Sequence, residues 1–358
     1  MEASMNSVSM NQAGQFICQQ FLAAPVSRRF LFGATPYAEM VARQIPIAGI
    51  LDDRIAASVF AERPVVRLKD CPRDALIVST ILGRIRTASD ILRQHQLNFC
   101  DIFTFCRCCD LPLPAMRFLS GFREDAEMHA AEWDWIEERL SDEESLNTFH
   151  ALRQFRLSDN PAYLNNFIER QHLQYFENFL ELRPAGECFA DLGAFDGATT
   201  AEFIRNCPEF ESAWIFEPDP VGFAAVSSRF GNSPRVKCFP YGASDKEGEE
   251  KFTSSGSTSA FGEHGEITVK TRSLDQFEMP NLSFLKMDIE GAEPQAISGA
   301  KETIRRWHPR MAICVYHNPG DIWKIPQQVF RIRSDYKLFL RHYTEGVVET
   351  VMFFMPIK

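Results

Sequence analysis

The sequence of 358 residues lacks the features that would direct it to a membrane or to nucleic acid. No apolar run is long enough to cross a bilayer. Residues 1–27 have neither the basic start nor the apolar core of a signal peptide. Positive charge is not in excess either, since the formal net charge is −10, and a phosphate backbone would repel such a chain. We therefore expect a cytoplasmic protein with no membrane span and no nucleic-acid partner.

Cysteine is present, but not in the pattern of a disulfide or zinc framework. Four cysteines lie within one short stretch, without the second, distant pair that a zinc site needs. The other six are scattered singly, often beside apolar residues: Cys18, Cys71, Cys188, Cys207, Cys238 and Cys314. This pattern predicts buried free thiols in a reducing compartment. A content of 45% hydrophobic and 24% charged residues is typical of a globular chain, and its length predicts two domains.

Residues 28–110 follow the pattern of a small Rossmann-like α/β domain, preceded by an N-terminal extension over 1–27. An apolar run ends in Gly33, a helical pattern follows, and a second run ends in Asp52 and Asp53. The segment resembles the small Rossmann-like domain at the front of some sugar-modifying acyltransferases, through Phe-Gly-Ala at 32–34 and Gly-Ile-Leu-Asp-Asp at 49–53. Two interpretations stay open. In the first, Gly33-Ala34 and Asp52-Asp53 belong to a nucleotide-sized site that recruits a sugar-linked acceptor. In the second, Gly33 only allows a tight turn and Asp52 only caps a loop.

Residues 111–182 predict a helical connector. Apolar and charged residues recur at helical spacing over 122–140, 142–156 and 161–180. Residues 183–358 predict the second domain, because five apolar strands alternate with helices and an alternating pair of runs closes the chain. The expected strands are 188–192, 213–217, 236–241, 283–289 and 311–316, with a hairpin over 336–343 and 348–356. The expected fold class is therefore α/β, with a seven-stranded Rossmann-like methyltransferase sheet.

The candidate cofactor residues follow the first two strands of this second domain. Gly193 and Gly197 would let the backbone approach a ligand and turn into a helix. Asp191 could hold a cationic amino group, and Glu217 lies where an acid accepts ribose hydroxyls in such folds. The remaining members of the predicted cofactor site are the neighbours of these residues in the two turns: Ala194, Phe195, Asp196 and Pro218.

From Glu187 to its end, the sequence resembles the FkbM family of methyltransferases. The resemblance rests on DLGAFDGATT at 191–200, FEPDP at 216–220, GASDKEG at 242–248, RSLD at 272–275, LKMDIEGAE at 285–293 and YHNPGDIWKIP at 316–326. It implies S-adenosylmethionine as the cofactor and O-methylation of hydroxyls on sugars, glycans or related natural products. Phe195 departs from the pattern, because many methyltransferases carry glycine at this position.

The candidate catalytic residues are three carboxylates and a histidine: Asp288, Glu290, Glu293 and His317. They follow the fourth and fifth strands of the domain, which should end side by side. Carboxylates this close repel one another unless a cation or protonation neutralises them, and Lys286 is one available cation.

Two schemes fit these residue types. In the first, which we favour, His317 is the general base and Asp288 or Glu293 orients it. In the second, a magnesium or manganese ion binds Asp288, Glu290 and His317 and lowers the pKa of the acceptor hydroxyl.

The function that this sequence predicts is S-adenosylmethionine-dependent methyl transfer to a small-molecule or glycan hydroxyl. Two alternatives stay open: a nicotinamide-dependent sugar-nucleotide dehydrogenase or epimerase, and a non-catalytic two-domain scaffold. The dehydrogenase leaves the carboxylate cluster and the terminal hairpin unexplained. A homo-oligomer is compatible with the sequence, which determines neither the acceptor nor the metal dependence.

Overall fold

The structure is a computed structural model that describes residues 14–109, 117–253, 260–261 and 267–357. Residues 1–13 of the predicted N-terminal extension lie outside the described residues. The rest of that extension contains helix α1, over residues 14–23, and its Phe21 ring packs edge-on against Phe105 at a centroid distance of 5.7 Å. The ten cysteines are free thiols, six of them buried and four half-buried. Among the described residues, no helix combines the length and apolar character that crossing a membrane requires.

The chain forms two compact units. Unit 1 comprises Met1–Glu127, His150–Glu169 and Thr344–Val348, and unit 2 comprises Met128–Phe149, Arg170–Tyr343 and Glu349–Lys358. The predicted domain limits, 28–110, 111–182 and 183–358, stay a prediction, and the residues of the connector are divided between the two units.

Unit 1 contains a six-stranded sheet in the order β3-β4-β2-β1-β5-β6, in which only the β3–β4 pair is antiparallel. The predicted strand, turn, helix and strand are present. An apolar stretch of the sequence, 99–105, is part strand and part helix, because the Asp101 carboxylate accepts from Thr104 N at 2.8 Å and starts a helix. The elements are β1 Arg29–Phe32, α2 Pro36–Gln44, β2 Gly49–Leu51, β3 Val59–Phe60, β4 Arg63–Val66, β5 Leu76–Ser79, α3 Ile85–Gln94, β6 Asn98–Asp101 and α4 Ile102–Cys108.

The segment predicted as a helical connector is helical only in its first two parts. These parts form α5 Phe122–Met128, α6 Ala130–Glu137 and α7 Glu143–Ser158. The predicted helix over 161–180 is wrong, because this stretch contains three short 3-10 turns at Pro161–Leu164, Gln171–Leu173 and Asn178–Leu180. Tyr175 lies there in the left-handed region, at φ +71°, which a helix does not contain.

Unit 2 confirms the predicted α/β class and its seven-stranded sheet. The order is β16-β17-β15-β14-β7-β8-β9, and only β17 runs antiparallel to its neighbours. The strands and helices of this layer are β7 Cys188–Leu192, α8 Ala198–Asn206, β8 Ser212–Phe216, α9 Pro220–Phe230, β9 Val236–Phe239, β14 Phe284–Met287, α10 Glu293–Gly299, α11 Lys301–Trp307, β15 Arg310–Cys314, α12 Asp321–Ile332, β16 Tyr336–His342 and β17 Thr350–Pro356.

A second, four-stranded sheet in unit 2 was not anticipated from the sequence. Its order is β10-β13-β11-β12, and its strands are β10 Gly242–Ala243, β11 Gly248–Thr253, β12 Ala260–Phe261 and β13 Ile267–Arg272. Two of the four strands have only two residues, too few for a period of two to be recognised in the sequence.

Candidate active site

A cavity of about 280 Å³ lies along one edge of the seven-stranded sheet of unit 2. Its walls come from the segments that follow β7, β8, β9, β14 and β15 and from the residue before β17. Because β17 is antiparallel, its start lies at the same edge as the carboxyl ends of the other strands. The predicted site residues on the wall are Gly193, Ala194, Phe195, Asp196, Glu217, Pro218, Asp288 and Glu290. The other four, Asp191, Gly197, Glu293 and His317, lie behind it.

The turn after β7 depends on a glycine. Gly193 has φ +80°, and its N–H donates to the carbonyl of Phe216 at 3.0 Å. A Cβ at this position would lie 1.9 Å from the backbone oxygen of Asp288, so a side chain cannot fit. Gly197, at φ +77°, starts α8, and a Cβ there would lie 2.6 Å from the ring of Phe230. Both glycines therefore allow the turn to pack against its neighbours.

Phe195 occupies the position where many methyltransferases carry glycine. Its backbone has the left-handed conformation that favours glycine. Its φ is +51°, a left-handed conformation that costs a residue with a side chain about 1–2 kcal/mol. The side chain is 44% exposed on the cavity wall, and the N–H donates to Glu217 Oε2 at 2.6 Å. The aromatic ring therefore lies at the mouth of the cavity, and the glycine turn is kept.

Glu217 is buried at the end of β8 and faces the cavity. Its two carboxylate oxygens accept from Phe195 N at 2.6 Å and from Asp219 N at 2.9 Å. Burial raises the pKa of Glu217 to about 7, although the two backbone N–H groups and Lys286 oppose this shift. Each oxygen keeps a lone pair, so the carboxylate can still accept from a ligand hydroxyl.

Asp191 has a different position from the one its predicted role requires. The side chain is fully buried, accepts from the Thr200 hydroxyl at 2.7 Å and lies 3.1 Å from Lys286 Nζ. Lys286 in turn donates to the Gly193 carbonyl at 2.7 Å, so this pair fixes the glycine turn from below. Burial lowers the pKa of Lys286, but Asp191 and Asp288 outweigh it and raise that pKa. Direct contact between Asp191 and a cofactor amine stays a prediction, and it would require the pair to open.

His317 lies between two carboxylates in a second layer behind the cavity wall. Its Nδ1 is 2.9 Å from Glu293 Oε1, and its Nε2 is 3.4 Å from Asp288 Oδ1 and 3.7 Å from Glu290 Oε2. Burial lowers the pKa of His317, but Glu293 and Asp288 raise it well above the ordinary value. The imidazole is therefore a cation, and its charge stabilises the carboxylates of Asp288 and Glu293.

Asp288 faces the cavity, as Glu290 does. Its Oδ2 accepts from the Tyr175 hydroxyl at 2.7 Å. Burial alone would raise the pKa of Asp288, but His317, Lys286 and Tyr175 lower it well below the usual range. Asp288 is thus an ionised carboxylate at neutral pH, able to accept a hydrogen bond from a hydroxyl in the cavity.

Three residues that were not predicted from the sequence, Gln174, Tyr316 and Glu349, complete this end of the cavity. Glu349 accepts from Gln174 Nε2 at 2.5 Å and from the Tyr316 hydroxyl at 3.4 Å, and Gln174 also donates to the Tyr175 hydroxyl at 2.9 Å. Burial and the charge of Asp288 raise the pKa of Glu349 to about 7. No motif marks these residues. The only available signal was an acid, Glu349, at the start of an otherwise apolar strand.

The same cluster is the candidate metal centre. One ligand atom from each of Asp288, Glu293 and His317 lies within 4.8 Å of the others. The predicted set had Glu290 in place of Glu293, and Glu290 is the more distant of the two from the imidazole, at 3.7 Å. His317 brings one positive charge to this cluster, which offsets only part of the charge of the three carboxylates.

The strand order and the cavity at the carboxyl edge define a methyltransferase fold. Comparison with known families is consistent with this: residues 191–343 match the family model described as the Methyltransferase FkbM domain. This part of the chain is therefore similar to FkbM methyltransferase domains.

One curated protein and one solved structure are similar to this chain. The 2-O-methyltransferase NoeI of Sinorhizobium fredii (strain NBRC 101917 / NGR234) is 28% identical over 142 residues, which cover 32% of this chain and 58% of NoeI. The match therefore spans little more than half of that curated relative. The crystal structure of Methyltransferase FkbM from Methylobacillus flagellatus KT superposes with a TM-score of 0.75 at 20% identity, covering 98% of this chain and 99% of that chain. At that identity the likeness shows the fold.

Proposed function

We propose that the protein is an S-adenosylmethionine-dependent O-methyltransferase that acts on a hydroxyl of a sugar, glycan or related natural product. The observation that carries the proposal is one cavity that brings together the glycine turn at Gly193, the strand-end acid Glu217 and the ionised carboxylate Asp288. The match of residues 191–343 to the FkbM family model supports methyl transfer, and the name of NoeI as a 2-O-methyltransferase supports oxygen as the acceptor atom.

The strand order suggests how a ligand would lie in the cavity. Glu217 follows β8, whereas Asp288 follows β14 and Glu349 precedes β17, on the other side of β7. Neighbouring strands are about 4.8 Å apart, so the two ends of the cavity are separated by about two strand spacings or more. Glu217 would hold the ribose hydroxyls at one end, and the acceptor would enter at the other. When bound, S-adenosylmethionine supplies the activated methyl group.

The protein must orient the acceptor hydroxyl and remove its proton. Asp288 is suited to orientation, because it stays ionised and faces the cavity. Glu349, with a pKa of about 7, is suited to receive the proton at neutral pH. His317, which we favoured as the base on sequence grounds, would then act behind Asp288 as a fixed positive charge. The metal scheme stays a prediction, to be tested by chelation.

The first test is cofactor binding by the full chain, measured by calorimetry. We expect S-adenosylmethionine and S-adenosylhomocysteine to bind, and we expect Glu217→Ala to weaken both by on the order of 1–3 kcal/mol, because the ribose loses its acceptor. Glu211→Ala is the matched control, since Glu211 is an exposed acid at the opposite end of the same strand, β8. Tight binding of NAD without binding of S-adenosylmethionine would instead favour the dehydrogenase.

The raised pKa of Glu217 predicts that binding of the ribose depends on pH. A ribose hydroxyl donates to the ionised carboxylate, so affinity should rise as the pH increases through about 7 and fall about tenfold per unit below it. Adenosine is the probe, because it keeps the ribose but has no titrating amine of its own in this range. Glu217→Gln should bind adenosine weakly and with a flat pH profile. A flat profile in the unaltered chain would show that Glu217 does not contact the ribose.

A further inference from the structure

Unit 1 repeats the backbone arrangement that surrounds the cavity of unit 2. Gly33 follows β1 with φ +96°, as Gly193 follows β7 with φ +80°. The N–H of Gly33 donates to the carbonyl of Leu51, the last residue of β2, at 2.9 Å. The N–H of Gly193 donates to the carbonyl of Phe216, the last residue of β8, at 3.0 Å. In both units the first strand's turn is therefore tied to the end of the second strand by the same bond.

The acid after the second strand is repeated as well. Asp52 directly follows β2, and its Oδ2 accepts from Ala34 N in the glycine turn at 2.9 Å. Its Oδ1 accepts from Arg54 N, two positions further along, at 2.7 Å. Glu217 makes the same two bonds, one to its glycine turn and one to the N–H two positions on. The hydrogen bonds by which Asp52 caps its loop are therefore the same as those of Glu217, the strand-end acid that faces the cavity of unit 2.

A cavity of about 300 Å³ opens at this place, close to the 280 Å³ of the cavity in unit 2. Gly33 and Asp52 both line it, together with Ile81 from the segment after β5. Strand β1 lies between β2 and β5, so the strand order reverses here. Open parallel sheets bind ligands at such a reversal, at the carboxyl ends of the strands.

The charges on this cavity differ from those in unit 2. Two guanidinium groups line it beside the carboxylates of Asp52 and Asp53. They are Arg54, after β2, and Arg84, after β5, whose Nη2 also lies 3.7 Å from Glu169 Oε2. The start of α3 does not offer a place for an anion, because Glu345 accepts from Thr87 N at 2.8 Å and pairs with Arg86. A phosphorylated ligand would therefore meet the arginines and not the helix terminus. Guanidinium groups bind phosphate oxygens through paired N–H donors, so two of them suit the two phosphates of a diphosphate.

We propose that this cavity of unit 1 binds a ribonucleoside diphosphate, with the ribose hydroxyls donating to Asp52 and the diphosphate contacting Arg54 and Arg84. The site is separate from the methyltransferase cavity and does not depend on the function proposed for it.

The test is calorimetry on the full chain in the presence of saturating S-adenosylhomocysteine, which under the proposed function would occupy the cavity of unit 2. UDP, ADP, GDP and CDP are titrated in turn. We expect at least one of them to bind, and we expect Arg54→Ala and Arg84→Ala each to weaken it at least fivefold. Arg73→Ala is the control, because Arg73 is an exposed arginine of the same unit outside the cavity. The 2′-deoxy form of the same diphosphate should also bind at least fivefold more weakly, which tests Asp52 without altering a residue that holds the turn.

Three results would overturn the proposal. The first is no binding of any of the four nucleotides at about 1 mM, a concentration that detects even weak sites. The second is equal loss of affinity in Arg73→Ala and in the two cavity variants, which would indicate surface electrostatics. The third is competition between the nucleotide and S-adenosylhomocysteine, which would place the nucleotide in the cavity of unit 2. Glu217→Ala separates this proposal from the function of unit 2, because it should weaken S-adenosylhomocysteine and leave the nucleotide unchanged.

Discussion

Asp288→Asn should reduce methyl transfer at least about 10²-fold while changing cofactor affinity no more than a few-fold. The substitution keeps the shape of the side chain and an oxygen that can accept from Tyr175, but it removes the negative charge that a hydroxyl in the cavity would meet. The measurement is transfer of a tritiated methyl group from S-adenosylmethionine to a panel of simple methyl glycosides, with the accepted glycoside used for the variants.

A matched control makes the same change of charge outside the cavity. The Asp335 carboxylate accepts from Arg333 Nε at 3.0 Å just before β16, and it does not line the cavity. Asp335→Asn should therefore leave the rate of transfer nearly unchanged. Turnover by Asp288→Asn equal to that of the control would contradict a role for Asp288 with or without a metal. Loss of activity with EDTA, restored by magnesium or manganese, would select the metal scheme.

The seven-stranded sheet was predictable because each of its strands is a short apolar run that ends at a turn signal. β7 ends before Gly193 and β8 ends before Pro218, and both boundaries follow from residues that a strand excludes. The stretch 161–180 was mispredicted for the opposite reason. Its aromatic residues recur at helical spacing, yet Tyr175 turns away from that path and donates to Asp288. Contacts formed in the folded state outweighed the local periodicity there.

The sequence predicted which residues lie at the candidate site better than it predicted how deeply each of them is buried. Sequence motifs identified Glu217 and Asp288, and both residues line the same cavity in the structure. They could not distinguish the wall from the layer behind it, where Asp191 and His317 lie, because a motif specifies spacing along the chain and not burial. Glu349 shows the other limit, since its role depends on β17 being inserted antiparallel beside β15.

Gly193→Ala should damage both the stability and the cavity of unit 2, and a second glycine allows its effect to be divided into two parts. Gly193 and Gly186 share the left-handed backbone, at φ +80° and φ +74°. A Cβ on Gly186 would have no heavy atom within 4 Å, whereas a Cβ on Gly193 would lie 1.9 Å from the backbone oxygen of Asp288. Gly186→Ala should therefore lower the free energy of unfolding by about 1–2 kcal/mol, the cost of the backbone conformation alone.

Gly193→Ala adds a steric clash to that backbone cost. Overpacking of this kind typically adds about 1–3 kcal/mol, so the total loss should be about 2–5 kcal/mol. Because the clashing atom, Asp288 O, belongs to the backbone, either β14 or the glycine turn must move to relieve the clash. Movement of β14 displaces the Asp288 carboxylate, and movement of the turn displaces the Phe195 N–H that donates to Glu217. We therefore expect Gly193→Ala to lose cofactor binding even in the fraction that remains folded, while Gly186→Ala binds normally. Urea denaturation and calorimetry on both variants measure the two effects. Equal destabilisation of the two variants would mean that the turn moves freely and that its close contact with β14 does not shape the cavity.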